Sequence, residues 1–217
     1  AGDPAEPPPP AGEARAGSRT DPWVGEFTLE HATKGLPLGK TLLAAIETPQ
    51  GTIHCELFPE RAPKTVASFV GLARGERPWS DPYSGLWQEH TPFFDGLAFH
   101  RVIPTFMIQG GDPRSRTYSD GLLGTGDPGY KVPDEVDKAL KFDRPGRMAM
   151  ANSGPGTDSG GSQFFITEEA KAYLDGGYTI FGQCDDPQVV QAIARVPKGR
   201  ADKPQEAVTM KVVITRK

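Results

Sequence analysis

The chain is 217 residues long, and at roughly 150 residues per domain that points to one core with additions. Its 24 basic and 28 acidic residues leave a formal net charge of -4, which argues against a dedicated nucleic-acid binder, since such proteins carry a basic stripe. No apolar run exceeds the five residues from Leu42 to Ile46, far short of the about 20 a membrane-spanning helix needs.

Five of the 22 prolines fall within the first ten residues. Residues 1–22 contain no aromatic and no aliphatic side chain larger than alanine, so they cannot bury enough surface to offset the entropy of ordering. They read as a disordered, partly polyproline tether: a spacer first, a ligand for a proline-binding module second. Residues 23–38 form an N-terminal extension in which composition turns globular at Trp23 and Thr28 to Ala32 reads as a short helical turn. Gly35, Pro37 and Gly39 then break the chain, and the main domain is expected over 39–217.

Thr41 to Thr48 and Thr52 to Leu57 flank the turn Pro49-Gln50-Gly51, which predicts a hairpin with Cys55 inward. From Pro63, the residues Val66, Phe69, Val70 and Ala73 recur at helical spacing and Gly75 follows, predicting an amphipathic helix of about three turns. A second helix is expected after Asp186 as N-cap, with Pro187 in its first turn and Val190 and Ile193 buried. Between the two lie short β-like segments: Leu97 to Ile103, Phe106 to Gln109, Arg147 to Ala151, Gln163 to Thr167 and Thr179 to Gln183. Val208, Met210, Val212 and Ile214 close the chain at period two. Many short strands with two isolated helices predict a mainly β antiparallel barrel with helical caps, whereas a parallel α/β fold would need a helix after nearly every strand.

Several chemical patterns fail. Cys55 and Cys184 are too few for a disulfide framework and wrongly spaced for zinc, which leaves the redox compartment open. The four histidines show no metal-ligand spacing, and no acid-histidine pair stands out. Gly124-Thr125-Gly126-Asp127-Pro128-Gly129 fits a dinucleotide fingerprint only literally, because no helix follows to meet a phosphate. Gly160-Gly161-Ser162-Gln163-Phe164 departs from a nucleophile elbow at its last position. Four scattered tyrosines (Tyr118, Tyr130, Tyr173, Tyr178) favour packing or peptide contact over base stacking.

Two segments are more informative. In the run from Phe99 to Asp112, strand alternation places Arg101 and Ile103 on one face, His100 and Val102 on the other, and Met107 with Gln109 on a shared face. In the run from Arg147 to Thr167, Gln163 and Phe165 share one face and Phe164 and Ile166 the other. Taken singly, Arg101 and Gln109 read as solvated strand residues, Asn152 as a turn residue bonding its own backbone, and Phe165 as core.

Taken together, FHRVIPTFMIQGGD (99–112), GSQFFIT (161–167) and YLDGGYTIFG (173–182) resemble the signature regions of the cyclophilin family of peptidyl-prolyl isomerases, over about Thr41 to Ile214. The resemblance implies an eight-stranded antiparallel closed barrel capped by two helices, with a substrate groove on its outer face. It implies Arg101 as the catalytic residue, with Phe106, Met107, Phe165 and Leu174 lining a proline pocket. Gln109, Ala151, Asn152 and Gln163 would hold substrate main chain, and Tyr173 and Tyr178 would stand at the pocket rim. No metal, nucleotide or other cofactor is implied, and the implied partners are proline-containing peptides and unfolded or folding client proteins. Tyr173 and Tyr178 replace a common tryptophan and histidine, as in bacterial members, so cyclosporin binding is expected to be weakened. The alternative is a proline-peptide binding or scaffold module with little turnover. The loops 74–91 and 114–123 look longer than in minimal members. Scarce asparagine suggests a GC-rich bacterial source, and an exported or periplasmic location is favoured over a cytoplasmic one.

Overall fold

The computed structural model describes residues 19–118 and 121–217. Most of the expected tether, residues 1–18, lies outside them. Its last residues do not trail free, however: Asp21 forms an ion pair with Arg77 at 2.6 Å, and the Arg77 guanidinium sits 4.0 Å over the Tyr130 ring. The expected helical turn is helix α1 (Leu29–Thr33), and nearby Phe27 packs against the main domain.

The hairpin forms as the alternation requires. Strands β1 (Leu42–Thr48) and β2 (Gly51–Leu57) pair in full register from Leu42↔Leu57 to Thr48↔Gly51. Leu42, Ala44 and Ile46 and, opposite them, Ile53, Cys55 and Leu57 are buried. Helix α2 (Pro63–Arg74) has proline at its start and ends at Gly75, whose φ of 73° is left-handed and lets its N–H reach back to Gly71 and Leu72, a helix stop that favours glycine. Its Phe69 meets Phe94, Phe164 and Phe181 at centroid distances of 4.9, 5.6 and 5.3 Å, the aromatic centre of the core.

The loop 74–91 carries a small ribbon that sequence periodicity did not show, strands β3 (Trp79–Ser80) and β4 (Trp87–Gln88). Two residues each are too short for a period to register. The main sheet continues with β5 (Arg101–Ile103), β6 (Met107–Gly110), β7 (Arg147–Met150), β8 (Phe164–Thr167) and β9 (Ile180–Cys184). Helix α3 (Pro187–Ala194) and strand β10 (Lys211–Arg216) complete the chain. All pairings are antiparallel, in the order β10-β1-β2-β9-β7-β8-β6-β5. The expected strand from Leu97 is shorter in the sheet because Gly96 to Phe99 does different work. Its backbone bonds Val208 to Met210 (Gly96 N to Met210 O 2.9 Å, Met210 N to Leu97 O 2.7 Å, Phe99 N to Val208 O 3.0 Å) and so ties the sheet's two ends together.

Two corrections concern the far side of the barrel. Cys55 and Cys184 are register partners in β2 and β9 and form a disulfide; their sequence separation of 129 hides a pairing that only the closed sheet creates. Asp186 is the N-cap residue of α3 as expected, its carbonyl accepting from Val189 N and Val190 N, but its side chain makes no cap bond. It accepts instead from the backbone N–H of His54 at 2.7 Å and lies 2.9 Å from His54 Nδ1. This acid-histidine pair, not foreseen from the sequence, has an exposed imidazole.

Candidate functional site

Pairing across the sheet sets the site in a row. Arg101 faces Gln109, Gln109 faces Phe165, Phe165 faces Ala149, and Ala149 faces Ile180. Directly opposed residues on antiparallel strands share a face, so one row runs across β5, β6, β8, β7 and β9 on the barrel's outer surface. The adjacent row, Val102, Ile108, Ile166, Met148 and Gly182, faces inward; Val102, Ile108, Ile166 and Met148 are wholly buried. The register shift between Met148 and Ala149 leaves Phe181 unpaired with β7. A bulge of this kind re-aims side chains, and here Ile180 joins the outer cluster while Phe181 joins the core.

The outer row is therefore not bare. Met107, Phe142, Ala149, Phe165, Leu174 and Ile180 form a second apolar cluster, separate from the barrel core, with Phe106, Ala151 and Tyr178 packed on it. Phe165 is stacked on Phe142 at 5.9 Å and meets the Tyr178 ring edge-on at 5.2 Å. Within this cluster opens a cavity of about 200 Å³. Phe106, Met107, Phe165, Leu174 and Tyr178 line it, and Arg101, Gln109, Ala151 and Asn152 complete the wall. Arg101 is exposed, with its Nη1 donating to Gln109 Oε1 at 3.4 Å.

Nine of the eleven residues singled out from the sequence thus meet in one cavity. Gln163 lies in an adjoining cavity of about 360 Å³, which shares Gln109, Ala151 and Asn152 with the first. Tyr173 lines neither; it is 73% exposed beside Phe106, with ring centroids 6.1 Å apart. Asn152 keeps the turn role its position suggested, its Oδ1 accepting from Gly154 N at 3.2 Å. Its Nδ2 also donates to Gly177 O at 2.9 Å, tying two loops at the cavity edge. The glycine-rich loop Gly124 to Gly129 borders the adjoining cavity over Gly124 to Asp127, where the carbonyls of Gly124 and Gly126 accept from Gln163 Nε2 at 3.0 and 2.8 Å.

Phe142 was missed. It supports the cavity floor while wholly buried, but it comes from an irregular stretch with no period to read. Among the described residues no group of three or more histidine, cysteine, aspartate or glutamate side chains could hold a metal ion.

The family model described as "Cyclophilin type peptidyl-prolyl cis-trans isomerase/CLD" matches residues 43–215. The chain belongs to the cyclophilin family. Among its relatives, "Peptidyl-prolyl cis-trans isomerase B" of Streptomyces anulatus is 45% identical over 181 residues, spanning 82% of this cyclophilin and 98% of the relative. "Peptidyl-prolyl cis-trans isomerase A" of Mycobacterium tuberculosis is 44% identical over 176 residues, 80% of this chain and 91% of that one. A crystal structure of a Cryptosporidium parvum cyclophilin type peptidyl-prolyl cis-trans isomerase superposes with a TM-score of 0.66 at 30% identity, covering 82% of this chain and 99% of that one. The same protein crystallised in the presence of the dipeptide Ala-Pro gives a TM-score of 0.64. The fold and isomerase class expected from the sequence are those of this family.

Proposed function

We propose that this cyclophilin turns X-Pro bonds in client proteins, with Arg101 as the catalytic residue and the apolar cavity as the seat of the proline ring. The single observation that carries the reading is the cross-strand row in which an exposed guanidinium stands two strands from Phe165 at the mouth of that cavity.

Rotation about a peptide bond faces a barrier of about 18–20 kcal/mol because the planar amide loses resonance as it twists. At X-Pro bonds the two isomers are close in energy yet exchange over tens to hundreds of seconds, so the barrier alone needs lowering. As the bond turns, the prolyl nitrogen regains its lone pair and becomes a hydrogen-bond acceptor. A guanidinium placed there binds the twisted state more strongly than either planar isomer, which is what lowers the barrier. Arginine suits this better than lysine, whose ammonium is mobile and more strongly hydrated.

Phe106, Met107, Phe165 and Leu174 grip the ring, while Gln109, Ala151, Asn152 and Gln163 fix the neighbouring main chain so that one side rotates against the other. Cyclosporin is a weak ligand in this reading, because Tyr173 offers neither the area nor the N–H of an indole. The disulfide supports work in an oxidising compartment, in line with an exported protein.

In a protease-coupled prolyl-peptide assay, Arg101→Ala is expected to lower kcat/KM roughly 100-fold or more, as removal of one preorganised donor does elsewhere, and Arg101→Lys to recover little of it. A proline-peptide binder without turnover would start near the uncatalysed rate and lose nothing. Unchanged kcat/KM in a folded Arg101→Ala protein would overturn the reading.

A further inference from the structure

We infer that Asp112, a wholly buried carboxylate that lines neither cavity, is a positioning residue that sets the orientation of Arg101 through a polar chain of fixed direction. The inference rests on the isomerase reading above and goes beyond it by naming what aims the guanidinium.

The chain starts in the backbone. Asp112 Oδ2 accepts from Gly124 N at 2.5 Å and Gly126 N at 3.3 Å, and its Oδ1 accepts from Arg114 N at 2.8 Å. One carboxylate thus holds the loop 124–126 against the end of β6. The fit needs glycine, since a Cβ at position 126 would run into Asp112 Oδ1. With the loop held, the carbonyls of Gly124 and Gly126 both point at Gln163 Nε2.

The direction follows from hydrogen-bond chemistry. A carboxamide has one accepting and one donating end, and two carbonyls admit only the donating end. Gln163 must therefore turn Oε1 away from the loop, and it accepts there from Gln109 Nε2 at 3.1 Å. That contact uses the donating end of Gln109, so its Oε1 is left to face Arg101, where it accepts from Nη1. Reversing either amide would set acceptor against acceptor or donor against donor and forfeit the bonds on both sides of it. Asp112 fixes where the loop lies through two glycine N–H groups, the loop's carbonyls set the direction of Gln163, and that direction is handed on through Gln109 to the guanidinium.

Asparagine at position 112 keeps the shape but turns a donating NH2 toward at least one backbone N–H. Asp112→Asn is expected to remain folded by circular dichroism and to lower kcat/KM roughly 10- to 100-fold, the scale of a displaced catalytic group. The readout that separates positioning from general support is coupling. Placed on Arg101→Lys, the same substitution should cost less than about twofold, since residues acting through one another are not additive. In parallel, the side-chain NMR order parameter of Arg101 should fall in Asp112→Asn. Full activity in the folded variant, or an undiminished loss in the Arg101→Lys background, would overturn the proposal. Asp112→Ser, which leaves room for water at the two glycine N–H groups, is the second variant; if both fail to fold, the carboxylate serves the fold and the proposal falls. Should Arg101→Ala itself be fully active, it is the isomerase reading that has failed.

Discussion

His100 stands one residue before Arg101 and points the other way, as strand alternation required. It is buried, with the Ala98 backbone and the Gln163 side chain as polar neighbours of its ring. Burial pushes its pKa below the ordinary histidine value; nearby Asp112 pulls upward and the Arg101 cation downward again. In the unfolded chain the imidazole titrates near 6.5. Between that value and the lower folded one the unfolded state binds more protons, so stability rises with pH there. The contribution is complete above about pH 6.5 and declines as pH falls through and below it. Urea midpoints measured from pH 8 to pH 5 should drop on the acid side, and the drop should be shallower in His100→Gln; an identical slope in the variant would refute the assignment. Residues of this kind were legible because alternation is a local rule. Asp112 was not, since an aspartate after two glycines reads as a turn, and its partners Gly124 and Gly126 lie 12 and 14 positions away.

Among the elements, the hairpin and α2 were read with both ends nearly right because each carries its own stop, and α3 with its start. Pro63 and Gly75 bound α2 in the sequence as in the structure. What could not be read was where a strand leaves one partner for another, as at Gly96 to Phe99, or which surface of α2 takes a neighbour other than the barrel. Helix α2 uses Gly71 for that. A Cβ there would strike the Phe27 ring, with Cζ at 2.6 Å, and Arg77 Cβ at 2.9 Å. Gly71→Ala should displace Phe27 and with it the grip of the extension. The expected cost is about 1–3 kcal/mol, typical of overpacking, seen as a lower unfolding midpoint and as new protease cleavage between residues 19 and 38. Phe27→Leu in the same chain should recover part of the loss. Equal resistance to protease in Gly71→Ala would show that contacts other than Phe27, such as Asp21 with Arg77 and the Arg74 guanidinium on Ala32 O and Lys34 O, hold the extension.

Across the whole molecule, the sheet is two groups of strands meeting at two seams. One seam is the backbone tie between Gly96 to Phe99 and Val208 to Met210. The other is the β2–β9 pairing, three residue pairs long, where the disulfide lies. Neither could be read from the sequence, because each joins residues more than 100 positions apart. Closing so long a loop removes much unfolded-state freedom, about 4–5 kcal/mol in the chain-entropy picture. At roughly 2–4 °C per kcal/mol for a domain of this size, Cys55→Ala with Cys184→Ala should lower Tm by about 8–20 °C. Both sulfurs are buried, with Cys55 at 1% and Cys184 at 4% exposure. The native protein should therefore resist dithiothreitol until it is warmed or denatured. Two free thiols found in the purified, denatured protein would contradict the bond.

That bond also orders events during synthesis. The ribosome adds about 5–20 residues per second, so with 129 positions between the cysteines, the first thiol waits roughly 6–26 seconds for its mate. Throughout that interval it can react with any other nascent chain, and no partial product can be fastened. Whatever carries this polypeptide must keep Cys55 reduced until nearly the whole length has emerged, and an oxidant meeting it sooner would yield cross-linked dimers in place of enzyme.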